Sequence, residues 1–284
     1  MGACDREQGA PATPAAQQQG PAAEPGQGAD AAKEAAAKGV PYLPVSGPSI
    51  VTAGAPGLQA SVEAREDLTY HWSADGATIT DGQESAQITF TAGTSDFVTL
   101  YCKITDPLKR ETTSRLQVPC MAPPRIDLFE AVPPAVSLGH QTQLRWSAGE
   151  IKTLMLDPGA QDVSKVGGVN VKPQVTTTYT LTATNLAGAE LRKEFTVKVV
   201  PLPTIARFQL EGAVLFDQVG TVVAEFAHGK AEIKQGETVL ASGSDSPIRV
   251  PFKPSEASVL TLSVTNEAGD VVAQTLSFRP ATRN

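Results

Sequence analysis

The sequence predicts an all-β chain, three tandem β-sandwiches following a disordered N-terminal tether. Three observations carry that reading. The first is composition: 284 residues with 24 Gly and 22 Pro, but only 19% charged and 5% aromatic, a balance suited to many short strands joined by turns. The second is a recurring segment. Tyr179-Thr-Leu-Thr-Ala-Thr-Asn-Leu-Ala-Gly188 matches Leu260-Thr-Leu-Ser-Val-Thr-Asn-Glu-Ala-Gly269 at an offset of 81, and Leu100-Tyr-Cys-Lys-Ile-Thr-Asp106 plays the same part at an offset of 79. The third is a break in texture near residue 46, after which units of roughly eighty residues fill the chain.

The tether, residues 1–46, opens with forty residues that hold 13 Ala, 6 Gly, 5 Gln and 4 Pro, with no aromatic before Tyr42. Such a stretch buries too little apolar surface to offset the entropy of ordering its backbone. Ala31–Lys38 reads as a helical spacer, too short to be stable alone in water. As a flexible coil, forty residues span roughly 35 Å.

The first sandwich is expected over 47–121, the second over 122–200 and the third over 201–284. Within the recurring segment Tyr179, Leu181 and Ala183 alternate with threonines, which gives a strand with one buried face. Asn185-Leu-Ala-Gly188 supplies turn chemistry and Glu190–Val200 returns as a partner strand. Leu260, Leu262 and Val264 repeat the pattern before Asn266–Gly269; in the first unit Leu100, Cys102 and Ile104 face inward and Asp106-Pro107 turns. Pro119–Pro124 and Val200–Pro203 form stiff joints, so a rod-like array is expected.

Pro124-Arg-Ile-Asp-Leu-Phe-Glu-Ala131, Gly139-His-Gln-Thr-Gln-Leu-Arg-Trp146 and Thr176-Thr-Thr-Tyr-Thr-Leu-Thr-Ala-Thr-Asn185 together resemble bacterial immunoglobulin-like domains. The first unit, with Tyr70-His-Trp72-Ser and Val98-Thr-Leu100, is similar to that group or to polycystic-kidney-disease-type sandwiches; the third has the closing strands but no core Trp. The resemblance implies immunoglobulin-like sandwiches and a surface role, with no active site, and a fold alone does not dictate function. Trp72, Trp146 and Tyr179 read as core residues, the Tyr179 hydroxyl reaching a nearby backbone group.

Cys4 stands in Met1-Gly-Ala-Cys4 directly before the tether, which resembles the junction where bacterial lipoproteins are acylated, though the charged and apolar regions of a signal peptide are absent from the sequence as it stands. Cys102 and Cys120 are an even pair for an oxidising compartment. A bridge between them closes about eighteen residues and is worth roughly 3 kcal/mol. A hairpin turning near Leu108 instead sets Cys102 opposite Ser114, so a bridge and two separate thiols both stay open.

A search for chemistry returns no catalytic residues, metal ligands or cofactor site. No Gly-x-Ser-x-Gly elbow occurs, and His71, His140 and His228 fall in different units, away from zinc spacing. Asp75, Asp81 and Glu84 cluster near loops without a calcium-loop pattern. A net charge of −7 argues against nucleic acid. The expected function is a non-enzymatic cell-envelope or surface protein, lipid-anchored or secreted. It serves as an extended spacer, an adhesion module or a protein-binding stalk, with a protein partner met at sandwich ends or edges, most naturally on the third unit. The alternative is an accessory recognition module, carbohydrate-directed, for a secreted enzyme or envelope complex; it requires aromatics on one exposed face.

Overall fold

The computed structural model describes residues 32–33, 35–37, 39–212, 219–253 and 258–278. The expected tether up to Ala31, Cys4 included, lies outside them. Three separate hydrophobic cores carry the three sandwiches. The described residues group into two compact units. One is the first sandwich with residues 184–190, and the other holds the rest of the second sandwich together with the third.

In the first sandwich, β1 (Val51–Thr52), β2 (Leu58–Ser61), β3 (Thr69–Asp75), β4 (Ala77–Asp81), β5 (Gln87–Ala92), β6 (Phe97–Thr105) and β7 (Glu111–Met121) form two sheets, ordered β1-β7-β6-β3 and β2-β5-β4. β6 shows why: Val98, Leu100, Cys102 and Ile104 are fully buried while the residues between them are not, the period-2 signature of a strand with one dry face. The core also reaches ahead of the expected start at 47. Leu43 and Val45 are buried in it, and Ser46 bridges to Ser61.

In the second sandwich, β8 (Arg125–Val132), β9 (Ala135–Ser137), β10 (Thr142–Gly149), β11 (Thr153–Asp157), β12 (Gln161–Asp162), β13 (Gly168–Val171), β14 (Thr177–Thr184) and β15 (Glu190–Val200) form sheets ordered β13-β10-β8 and β12-β11-β14-β15-β9. The short strands β1 and β9 each run parallel to the last strand of their sandwich, Val51 beside Cys120 and Val136 beside Val199.

The third sandwich has β16 (Thr204–Glu211), β17 (Gly220–Ala227), β18 (Lys230–Gln235), β19 (Thr238–Gly243), β20 (Ile248–Phe252), β21 (Ser258–Thr265) and β22 (Val271–Phe278), in sheets β16-β17-β20 and β19-β18-β21-β22. Its core is built around phenylalanine. Phe208, Phe226, Phe252 and Phe278 are buried, with the Phe252 and Phe278 rings 5.2 Å apart. The chain is therefore three immunoglobulin-like β-sandwiches in tandem.

Candidate functional site

Each sandwich closes its last hairpin with one and the same backbone turn. In the turn between β21 and β22, Asn266 N–H donates to Asp270 O at 3.0 Å and Gly269 N–H donates to Asn266 O at 3.1 Å. Asn266 Oδ1 accepts from Asp270 N–H at 2.9 Å. The turn between β14 and β15 repeats these contacts with Asn185, Gly188 and Ala189. The turn between β6 and β7 repeats them with Asp106, Lys109 and Arg110. The fourth residue takes a left-handed backbone, φ 85° at Gly188 and 87° at Gly269, where glycine is least strained.

One oxygen builds the turn, which leaves the other end of each asparagine free to do something else. Asn266 Nδ2 donates to Ser137 Oγ at 2.6 Å and to Pro201 O at 2.9 Å. Its orientation is fixed by chemistry: Pro201 O only accepts and Asp270 N–H only donates. Ser137 is wholly buried and Asn266 nearly so, and a buried amide with all three bonds made is stabilising where a half-satisfied one is costly. The ion pair of Lys198 with Glu267 flanks the contact, and His140 Nδ1 stands 3.5 Å from Asp270 Oδ1. The second and third sandwiches are thus joined by one buried side chain with a charged rim. Within the first unit, Asn185 Nδ2 makes the matching pair of bonds, to Thr52 Oγ1 at 3.1 Å and Ala122 O at 3.0 Å. Sequence reasoning saw these asparagines as turn residues alone. The signal for more was their recurrence with Pro-rich joints one repeat unit apart.

Trp72 and Trp146 are buried, and each indole N–H donates at 2.8 Å to a loop carbonyl, Ser85 O and Val166 O. Trp72 lies on β3 in the first sandwich's four-stranded sheet, whereas Trp146 lies on β10 in the second's three-stranded one. Tyr179 is buried, and burial pushes its hydroxyl pKa up. The reach to a nearby backbone is made by Tyr70, whose hydroxyl accepts from Arg65 N–H at 2.8 Å and lies 3.3 Å from Glu63 O.

The open question of the cysteines is answered by register. Cys102 pairs with Ser114, while Cys120 sits six residues further along β7, beside Val51, roughly 20 Å away at strand rise. Both are free thiols and the bridge is not made, since bridged Cα atoms must lie within about 7 Å. Cys102 occupies the core place of Leu181 and Leu262, and burial pushes its pKa up to about 12. Burial, and then the charge of Asp96, push Cys120 up as well.

The three histidines stay apart, and the loop acids have their own partners. Glu84 pairs with His71 at 2.5 Å, Asp75 accepts from Tyr101 at 3.2 Å, and Asp81 accepts from Gly82 N–H at 2.8 Å. Among the described residues no group of three His, Cys, Asp or Glu is placed to hold a metal ion, and no helix is long and apolar enough to cross a membrane.

No protein-family model matches the chain. It is similar to an uncharacterized protein of Ruminiclostridium cellulolyticum, 30% identical over 163 residues. That match covers 53% of this chain and 43% of the relative, so it spans less than half of the relative's length. Solved structures similar to it include the eight N-terminal immunoglobulin domains of Down syndrome cell adhesion molecule (15% identical, 84% of this chain and 42% of that one, TM-score 0.41). Others are extracellular domains 3–5 of Drosophila OTK (14%, 82% and 94%, TM-score 0.39) and titin domains I67–I69 (13%, 82% and 95%, TM-score 0.37).

Proposed function

We propose that this chain is a non-enzymatic spacer of the cell envelope or surface, a stalk that presents a protein partner on its third sandwich and is lipid-anchored through Cys4. The observation that carries the reading is the buried Asn266 contact to Ser137 Oγ and Pro201 O, flanked by the Lys198–Glu267 ion pair. A spacer needs its modules held at a set separation, and a fully bonded buried amide at a module joint supplies that. A recognition domain acting alone needs no such contact. Both indoles are spent inside cores, which weighs against the carbohydrate-directed alternative, because sugar stacking requires exposed rings.

The test is made on cells producing the full-length precursor, with a fluorophore on the third sandwich and an acceptor dye in the membrane. Energy transfer is expected to rise when residues 125–200 are deleted, and labelled protein is expected to leave the membrane fraction in Cys4→Ala. Unchanged transfer after the deletion overturns the spacer role. Equal membrane association of wild type and Cys4→Ala overturns the anchor.

A further inference from the structure

The turn that holds Asn266 on Pro201 also exists in the first sandwich, where the side chain is a carboxylate and the entering chain is the N-terminal segment. One Asp106 oxygen builds the turn, accepting from Arg110 N–H at 2.9 Å. A carboxylate has no N–H to offer a carbonyl of the incoming chain. Its second oxygen works through an intermediary instead, accepting from Arg110 Nε at 2.7 Å and pairing with Arg110 Nη2 at 2.7 Å. Two guanidinium nitrogens on one carboxylate oxygen make a charge-assisted contact, stronger than a neutral one.

The guanidinium so held lies directly over Gly39, where an added Cβ would stand 2.6 Å from Arg110 Nη1. Gly39, at φ +67°, closes a helical turn, its N–H donating to Ala36 O at 3.2 Å while Val40 N–H donates to Ala35 O at 3.1 Å. Ala35, Val40 and Leu43 are buried. A single turn of helix is unstable alone, so its order comes from this seat. Arg65 and Asp67 line the same open hollow.

We propose that Asp106 and Arg110 form an entry grip, which fixes the path of the described N-terminal segment at Gly39 and Val40 onto the first sandwich. The same turn grips the entering chain at both places, by an amide at Asn266 and by a carboxylate–guanidinium pair at Asp106. The grip's use to the cell rests on the spacer reading; its existence does not, and it is tested on purified full-length protein.

Amide hydrogen exchange at Gly39 and Val40 is compared in wild type, Arg110→Ala and Asp106→Asn. The asparagine keeps the turn oxygen but removes the charge that holds the guanidinium, and it leaves the left-handed backbone of Gly39 as it is. Both variants are expected to speed exchange at these two amides roughly tenfold or more, the scale of losing one charge-assisted bond, with Trp72 and Cys102 amides unchanged. Unaltered exchange at 39 and 40 in either variant overturns the proposal. Equal acceleration across the first core also overturns it, since Arg110 would then be a general stabiliser.

Discussion

The second and third sandwiches share a strand order apart from the edge strand β9, which the third lacks among its described residues, but one core position is filled differently. Trp146 on β10 and Phe226 on β17 stand in the same buried place, each 6% exposed. Trp146 ties down the following loop twice, by its indole to Val166 O at 2.8 Å and by its backbone N–H to Gly167 O at 3.1 Å. Phe226 has no side-chain donor, and its backbone N–H takes Ser246 Oγ at 2.9 Å instead. Ser246 Oγ thus takes the backbone bond that Gly167 O takes in the second sandwich, while the indole's bond to the loop has no counterpart in the third. The loop is held twice in the second sandwich and through the backbone N–H in the third.

The largest expected effect breaks that comparison at its root. Trp146→Ala removes both packing and the indole's loop bond and costs about 3–5 kcal/mol; Trp146→Phe keeps the backbone bond to Gly167 O but costs about 1–3 kcal/mol by orphaning Val166 O. Hydrogen exchange resolved by sandwich checks this: the loss falls on the second core while Leu260 and Leu262 amides keep their protection.

Next is the joint common to both sandwiches. Asn266→Ala costs about 2 kcal/mol, read as lost protection in the β21–β22 turn and around Ser137. Asn266→Asp keeps the turn oxygen but loses both donors, so it loosens Ser137 and Pro201 while sparing the turn; equal damage to both would show that one amide does not serve two tasks.

Ser246→Ala sharpens the core comparison at about 1 kcal/mol, confined to the third sandwich, with Phe226 N–H exchanging faster. A null result there would mean that water replaces the hydroxyl at no cost.

The smallest effect concerns acid. Hydrogen bonding from Arg249 outweighs burial and, aided by Arg207, holds the Glu211 carboxyl below its ordinary value of 4.5. A depressed folded pKa stabilises above the unfolded value and loses that contribution as pH falls through the folded one. The third sandwich should therefore lose protection as pH falls below about 4.5, and Glu211→Gln should lessen that loss, as followed by exchange at two pH values.

Much of this was legible in the chain. Alternation in Tyr179–Thr184 and Leu260–Thr265 located the closing strands, because a strand with one wet face must place apolar residues at every second position. Trp72 and Trp146 read as core residues, and both side chains are buried. That they sit in different sheets did not show, since periodicity reports which face is dry and not which sheet the strand joins. The start of the first core was placed late, at 47, because Leu43 and Val45 are flanked by prolines and resemble linker.

Local alternation, and Asn, Asp and Gly at fixed offsets, were enough to give three sandwiches, their closing strands and the turns that follow. Tertiary structure alone decided the partners: that Asn266 reaches Ser137 and Pro201, that Asp106 holds Arg110 over Gly39, and that Cys102 and Cys120 stand too far apart to bridge. The physical reason is that a polar side chain's second bond depends on which distant backbone is packed within 3 Å of it. No spacing along the chain encodes that distance.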